Sequence, residues 1–301
     1  MKIGVMFDVN QSVDDVIAQV QGIHNVGLDS AWTSQIFGYD ALTLLAVVGR
    51  EVPDIELGTA VVPTYPRNPV MLAGQALTVQ AAIGGRLTLG IGLSHQVVIE
   101  NVFGQSFDRP ARHMREYLSI LMPSLMGEQV AFTGETLKAA TFGPLEIEAA
   151  APPVLVAALG PTMLGLAARL ASGTVTWMTG PSTIESHVVP VIRKAATEAG
   201  RGEPRVAVGL PVCVTNDVAA AREKAAELFA IYGGLPSYRA MLDREGVAGP
   251  ADVAIVGTKD EVSAQVRRFA DIGASDFAGA PFGTADEIRA TVGALAGLVG
   301  S

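Results

Sequence analysis

The stretch that decides the fold is residues 55–95, which reads IELGTAVVPTYPRNP (55–69), VMLAGQALTVQAAIGG (70–85) and RLTLGIGLSH (86–95). Asn68 and Pro69 are typical of a helix start, because the Asn side chain caps free amides and Pro needs no hydrogen bond at the first helical position. Gly84 and Gly85 end the helix, since both tolerate positive φ. The order strand, helix, strand predicts a pair of parallel strands joined by a crossover helix.

Small residues alternate with apolar ones along both strands of this unit. Because successive side chains on a strand point to opposite faces, one face of each strand is predicted to be nearly free of side chains. Such a face near the C-terminal strand ends would let a flat molecule approach the backbone. The small residues are Gly58, Ala60, Gly90, Gly92 and Ser94.

The same alternation of strands and helices continues along the chain. Outside residues 55–95 we predict strands at 2–8, 28–34, 153–157, 173–177, 205–214 and 275–280, which gives eight strands in all. Eight strands alternating with helices predict an α/β fold, a (β/α)₈ TIM barrel, with an open doubly wound sheet as the alternative. We expect a single domain over residues 1–301, with insertions at about 128–148 and 233–250.

Composition excludes several classes of protein. The chain has 301 residues, 49% of them hydrophobic and 17% charged, and a net charge of −9, which argues against a nucleic-acid partner. No apolar run reaches the ~20 residues of a membrane span. The chain enters a predicted strand at once, with Asp8 where a signal peptide needs its apolar centre, so we expect a cytoplasmic protein. Cys213, the only cysteine, is predicted to be reduced and buried.

In a TIM barrel the active site forms at the C-terminal ends of the strands. Of the four histidines only His95 falls at such an end, whereas His24, His113 and His187 fall inside predicted helices as surface or packing residues. We predict that His95 contacts cofactor or substrate and donates a proton near neutral pH; the alternative is a hydrogen bond to a neighbouring loop. No metal site is expected. The strand-end residues are Asp8, Ser34, Gln35, Ala60, Val61, Ser94, His95, Leu159, Gly160, Met178, Thr179, Pro281 and Phe282.

The turn Gly160–Pro161 precedes a predicted helix that begins at Thr162 or Met163. Free amides and the positive end of a helix dipole can bind an anion there without Lys or Arg. The alternative interpretation is an ordinary turn.

Several segments together resemble the luciferase-like monooxygenase family, in particular its branch of oxidoreductases that use the deazaflavin coenzyme F420. They are KIGVMFD (2–8), GTAVVPTYPRNP (58–69), GRLTLGIGLSHQ (85–96), AFTGETLK (131–138) and AALGPTMLGLAARLASG (157–173). The resemblance implies that residues 159–163 hold the cofactor phosphate. It also implies a non-prolyl cis peptide at Ala60–Val61 as a backstop for the ring, where the alternative is an ordinary trans strand end.

One departure from that branch concerns the end of the second strand. Many of its members carry an acidic residue and a histidine there, and this chain has Ser34 and Gln35. Gln35 can hydrogen-bond but cannot shuttle a proton, so the sugar-phosphate dehydrogenase activity of part of the family is not expected. His95, Asp8 or solvent remain as proton donors.

The resemblance implies hydride transfer between coenzyme F420 and a small organic substrate, with reduction of an activated C=C or C=N bond. The alternatives are an FMN-dependent monooxygenase of the same family and a non-catalytic F420-binding carrier or sensor. A homodimer is implied as well. Two groups of residues could line the site: the aromatic residues Phe37, Tyr39, Tyr65, Trp177 and Phe282 for an apolar substrate, and Arg67, Arg109 and Arg112 for an acidic cofactor tail.

Overall fold

The computed structural model describes residues 1–300, and within them the backbone forms twelve β-strands. They are β1 (Lys2–Met6), β2 (Ser30–Thr33), β3 (Glu56–Thr59), β4 (Val62–Pro63), β5 (Leu87–Gly92), β6 (Ala131–Thr133), β7 (Lys138–Ala140), β8 (Val154–Ala157), β9 (Gly173–Trp177), β10 (Arg205–Val214), β11 (Ile255–Gly257) and β12 (Asp276–Pro281).

Eight of these strands form a closed parallel barrel in the order β1-β2-β3-β5-β8-β9-β10-β12. The barrel closes because β12 pairs with β1 on one side and with β10 on the other, all in parallel register. These are the eight strands predicted from the sequence, so the TIM barrel is confirmed and the open sheet is wrong.

Helices follow the barrel strands and pack around them. They are α1 (Val13–Asn25), α2 (Ala41–Glu51), α3 (Pro69–Ala82), α4 (Gln96–Asn101), α5 (Pro110–Leu125), α6 (Pro161–Leu170), α7 (Pro181–Thr183), α8 (Val189–Glu198), α9 (Val218–Leu228), α10 (Ala230–Gly234), α11 (Pro236–Glu245), α12 (Pro250–Val253), α13 (Lys259–Asp271) and α14 (Ala285–Ala296). A π-helical turn, Ile184–Val188, joins α7 to α8. No helix within residues 1–300 is both long and apolar enough to cross a bilayer.

Helix starts follow local side-chain chemistry. Ser12, Asp40 and Asn68 each accept a hydrogen bond from an amide in the first turn of the helix they precede. Such a cap satisfies donors that have no partner inside the helix. The sequence predicts helix starts at Ser12, Asp40 and Asn68, and α1, α2 and α3 each begin one residue later.

Three short elements escaped the sequence prediction. α4 and α12 have six and four residues, too few to show a periodic pattern. β11 has three residues and pairs only with the end of β10. The sequence pattern at 217–232 predicts one helix, whereas the structure has two, since α9 ends at Leu228 and α10 begins at Ala230.

The glycines of β3 and β5 do not leave open strand faces, and that sequence prediction is wrong. A Cβ on Gly58 would lie 2.2 Å from the Trp32 ring, and one on Gly92 would lie 2.6 Å from a Val61 methyl. A Cβ on Gly90 would lie 1.9 Å from the Thr59 carbonyl oxygen. The glycines therefore make room for the barrel interior and for the backbone of the neighbouring strand.

Ion pairs close the lower end of the barrel, where the strands begin. Arg205 at the start of β10 donates to Asp276 at 2.5 Å and to Glu56 at 2.9 Å. It also donates to the Thr88 hydroxyl at 3.0 Å, and Lys2 binds Glu56 from the other side. Five strands, β1, β3, β5, β10 and β12, are thereby tied together at the end opposite the predicted site.

A hairpin of β6 and β7 lies outside the barrel sheet, within the segment predicted as an insertion at 128–148. Its turn is held by Glu116 of α5, whose carboxylate accepts the amides of Glu135, Thr136 and Leu137 at 2.8–2.9 Å. The Thr136 hydroxyl donates to the same carboxylate at 2.6 Å. Burial raises the pKa of Glu116, but these donors outweigh it and lower the pKa to about 2.

Candidate functional site

The predicted site residues come together at the upper rim of the barrel, on six strands that are consecutive neighbours. Asp8 follows β1, Ser34 and Gln35 follow β2, and Ala60 and Val61 follow β3. The remaining three groups follow β5, β8 and β9; they are Ser94 and His95, Leu159 to Met163, and Met178 and Thr179. The topology therefore gathers residues that are far apart in sequence.

The backbone leaves the barrel between β3 and β4, at the Ala60–Val61 bond, which is cis as predicted. The Ala60 amide donates to the Thr33 carbonyl at 2.7 Å, and the Gln35 amide donates to the Val61 carbonyl at 3.2 Å. Below the break, the Thr59 hydroxyl donates to the Gly90 carbonyl and accepts from the Gly90 amide, both at 2.8 Å. A side chain thus replaces the main-chain pairing that β3 loses at this point.

The rim around this bond carries short side chains. Ser34, Ala60, Val61 and Ser94 are each half-buried, so part of their surface is accessible. Ser94 has φ of +60°, which turns the chain away from β5 immediately before α4. The accessible patch therefore lies beyond the C-terminal ends of β3 and β5, after the glycines that the sequence pattern had indicated.

Two of the predicted contact residues use their polar groups within their own loops. Gln35 accepts the Ala41 amide at 2.7 Å, and its side-chain nitrogen donates to the Tyr39 carbonyl at 3.3 Å. Asp8 accepts both the amide and the side-chain nitrogen of Asn10 at 2.9 Å. These side chains shape the loops after β1 and β2, and Asp8 remains exposed to solvent.

The turn between β8 and α6 is the open part of the rim. Gly160 is the N-cap of α6, and no side chain caps this helix. Gly160, Pro161 and Thr162 are exposed, and a Cβ built on Gly160 would meet no atom within 4 Å. The amides of Thr162 and Met163, which have no partners inside a helix at these positions, are the donors that an anion needs.

The end of β9 differs from the prediction, which had placed Met178 and Thr179 against a cofactor. Both side chains are fully buried, and the Thr179 hydroxyl donates to the Trp177 carbonyl at 3.2 Å. Met178 has φ of +52°, so the chain turns inward here before α7. Trp177, which is half-buried, is the residue of this strand end that remains accessible.

His95 is half-buried at the start of α4, and within residues 1–300 its ring makes no hydrogen bond. Burial lowers its pKa, so the ring is neutral at neutral pH. It packs against Tyr238 with ring centroids 5.8 Å apart. The loop hydrogen bond offered as the alternative is absent, and a neutral imidazole is a weaker proton donor than the sequence prediction assumed.

Aromatic rings cross the barrel mouth from β9 to the end of β5. Trp177 contacts Tyr232 of α10 at 5.9 Å, Tyr232 contacts Tyr238 of α11 at 5.1 Å, and Tyr238 contacts His95. We call Trp177, Tyr232, Tyr238 and His95 the aromatic strip. Phe282, also predicted near the mouth, is buried beneath this region and packs edge-on against Phe229 at 5.7 Å.

The helices α10 and α11, which carry Tyr232 and Tyr238 of the aromatic strip, are anchored by Glu245 at the end of α11. Its carboxylate accepts the Ser182 amide at 3.0 Å and the Thr183 amide at 2.7 Å. Glu245 thus caps α7 from a distant part of the chain and fixes α11 beside the mouth. The N-terminus of α7 is occupied by this carboxylate, in contrast to that of α6.

The three arginines predicted as candidates for binding an acidic cofactor tail are paired with other side chains of the protein. Arg67 donates to Asp40 at 2.5 Å and to Gln75 at 2.9 Å. Arg109 and Arg112 are exposed, and both form ion pairs with Glu135 of the hairpin turn.

A buried aromatic cluster lies behind the loop that follows β4. Tyr65 stacks on His113 of α5 with centroids 3.9 Å apart, and His113 Nε2 lies 3.1 Å from the Thr64 hydroxyl. Burial lowers the pKa of His113 to about 4, so it is neutral at pH 7. Tyr65 therefore belongs to packing, while Phe37 and Tyr39 are exposed on the loop after β2.

The family model described as luciferase-like monooxygenase matches residues 1–298. The chain belongs to the luciferase-like monooxygenase family. The predicted family is therefore confirmed, and with it the type of barrel.

Proteins named for redox reactions are similar to this chain over most of its length. A 5,10-methylenetetrahydromethanopterin reductase of Methanolobus tindarius is 27% identical, over 94% of this chain and 95% of that protein. A putative coenzyme F420-dependent oxidoreductase of Mycobacterium tuberculosis is 29% identical, over 78% of this chain and 70% of that protein. The structure of the coenzyme F420 dependent tetrahydromethanopterin reductase from Methanopyrus kandleri matches with a TM-score of 0.82 and 21% identity, over 98% of both chains.

Sequence reasoning missed two residues that shape the rim of this luciferase-like barrel. Glu245 gave no signal, because the helix it caps lies more than sixty residues earlier in the chain. His187 was assigned to surface or packing; it is buried, and what the assignment missed is that its Nε2 lies 2.8 Å from the Leu159 carbonyl oxygen. A histidine on a helix behind a predicted anion turn was the available signal.

Proposed function

We propose that this protein is an oxidoreductase that binds coenzyme F420 at the upper rim and transfers a hydride between the coenzyme and a small organic substrate. The observation that carries the proposal is the open, uncapped start of α6 beside a rim of short side chains, Ser34, Ala60 and Ser94. A flat ring with a phosphate requires this combination of an anion site and an accessible, weakly obstructed surface. The similarity to a putative coenzyme F420-dependent oxidoreductase of Mycobacterium tuberculosis supports the choice of F420.

The residues present fit such a group. The amides of Gly160, Thr162 and Met163 would hold the phosphate, and the half-buried residues Ala60 and Val61 would lie against the ring. When bound, the deazaflavin supplies two-electron hydride chemistry, and the protein supplies position and a dry pocket.

His95 would contact the substrate beside Tyr238. Because its pKa is lowered, the neutral imidazole can accept a hydrogen bond from the substrate, whereas a proton for the product would come through solvent or a transiently charged His95. We propose an activated C=C or C=N bond as the substrate group, since the aromatic strip offers apolar walls and its residues carry no cationic group at neutral pH.

Equilibrium dialysis of the purified protein against F420 and, separately, FMN tests the cofactor. Retention of F420 with little FMN is expected, followed by anaerobic oxidation of reduced F420 in the presence of enones or cyclic imines. Retention of FMN with oxygen uptake would instead favour a monooxygenase. Retention of F420 without turnover on any unsaturated substrate would favour a carrier or sensor, and retention of neither cofactor would refute the proposal.

We also propose a homodimer. Val47 of α2 and Met71 of α3 are exposed apolar side chains on neighbouring helices, 42% and 73% accessible, and Phe37 is exposed on the loop before α2. A second copy would cover such a patch. Light scattering during gel filtration should give twice the chain mass of 31.2 kDa, and the monomer mass would refute the dimer.

A further inference from the structure

His187 lies on the π-helical turn Ile184–Val188, and its side chain is buried, with 6% of the residue exposed. Its Nε2 is 2.8 Å from the Leu159 carbonyl oxygen. A carbonyl oxygen can only accept, so Nε2 carries the proton and donates it. The π turn adds a residue to the helical register and directs this ring towards the turn after β8.

A second side chain holds the same turn one residue earlier. The Thr174 hydroxyl of β9 lies 2.9 Å from the Val156 carbonyl oxygen and 3.2 Å from that of Ala158. Consecutive carbonyls, those of Ala158 and Leu159, therefore face side chains from β9 and the π turn. The turn is fixed from behind, while its front remains uncapped.

The position of the Leu159 carbonyl decides where the next amide points. In a trans peptide the C=O and the following N–H share one plane and point in opposite directions. With the Leu159 oxygen held against His187, the Gly160 N–H is directed away from the π turn, and within residues 1–300 it has no hydrogen-bond partner. Gly160 itself is exposed, with open space in front of it.

We propose that His187 is a positioning residue for the cofactor phosphate: by holding the Leu159 carbonyl it aims the Gly160 amide, together with those of Thr162 and Met163, at one point. This inference rests on the proposed function, since it assumes a phosphorylated cofactor at the start of α6. His187 makes no contact with the phosphate. Its contribution is that the donors are already oriented before the cofactor arrives, which reduces the cost of ordering them on binding.

The test compares cofactors with and without the phosphate. His187→Leu removes the donor. His187→Gln retains an N–H donor on a side chain longer than that of Asn. His24→Leu is a matched histidine replacement on α1, distant from the turn. Dissociation constants are measured by equilibrium dialysis for F420 and for its phosphate-free deazaflavin core, and in parallel for FMN and riboflavin. Riboflavin differs from FMN by the phosphate alone, so this pair isolates the phosphate.

For His187→Leu we expect dissociation constants about tenfold higher for the phosphorylated form and within about twofold of wild type for the phosphate-free form. His187→Gln should recover most of the loss, and His24→Leu should change neither value. If His187→Leu does not fold, His187→Asn, whose amide is too short to reach Leu159, takes its place. Equal weakening of both forms, or no weakening, would overturn the inference alone, whereas a wild-type protein that binds neither F420 nor FMN would overturn the proposed function and the inference together.

Discussion

Replacing Thr59 by Val should destabilise the protein severely while changing its shape very little. Thr59 is fully buried, and its hydroxyl serves both the amide and the carbonyl of Gly90. Valine has a methyl group in place of the hydroxyl, so two buried main-chain groups of β5 lose their partner. Each unsatisfied buried group costs about 1–3 kcal/mol, so the two groups together give a decrease of about 2–6 kcal/mol in the free energy of unfolding.

Urea unfolding followed by far-UV circular dichroism measures this decrease. Thr59→Ser keeps the hydroxyl and should lose only about 1 kcal/mol for the missing methyl group. Thr78→Val is a matched control, because Thr78 is exposed on α3 and its hydroxyl donates to the Gly74 carbonyl in contact with solvent. If Thr59→Val were as stable as Thr59→Ser, the hydroxyl would not replace the lost strand pairing, and our account of the break between β3 and β4 would be wrong.

Three further predictions concern titratable groups. Glu116→Gln should cost about 2 kcal/mol of unfolding free energy at pH 7; because the folded pKa of Glu116 is about 2, this difference should shrink as the pH falls from about 4.5 towards 2. The wild-type protein should lose about 2 kcal/mol, relative to His113→Gln, as the pH falls from 6.5 to 4, because burial lowers the pKa of His113 to about 4 and the unfolded chain binds the proton first. Burial and the nearby Glu287 raise the pKa of Cys213 to about 11, so the native thiol should resist alkylation at pH 8 and react only after unfolding.

Each of these has a clear opposing outcome. A Glu116→Gln difference that persisted unchanged at pH 2.5 would show that the charge of the carboxylate is not what holds the hairpin. Parallel stability curves for wild type and His113→Gln between pH 6.5 and 4 would show that folding does not lower the pKa of His113. Rapid stoichiometric labelling of Cys213 in the folded protein would contradict its burial.

The barrel could be predicted from the sequence because its signals are local. Helix starts at Ser12, Asp40 and Asn68 depend on side chains adjacent to the helices they cap, and each strand is a short apolar run bounded by turn residues. The rule that sites form at strand ends then selected the rim without any knowledge of distances.

The parts that failed depend on contacts between distant residues. Gly58 and Gly92 were interpreted as an open surface, but their missing side chains accommodate Trp32 and Val61 from neighbouring strands. Thr179 was selected for its position at a strand end, yet the inward turn at Met178 buries it. A sequence pattern shows that a side chain is small, and it does not show which neighbour occupies the space.

The two tryptophans of the chain give separate optical signals from its interior and its entrance. Trp32 is sealed inside the barrel with its indole nitrogen donating to Ser30, whereas Trp177 is half-exposed and touches Tyr232. In a Trp32→Phe background, ultraviolet emission would come from the entrance alone. Stopped-flow recording of that emission would then time any displacement of α10 during ligand entry, without an attached dye.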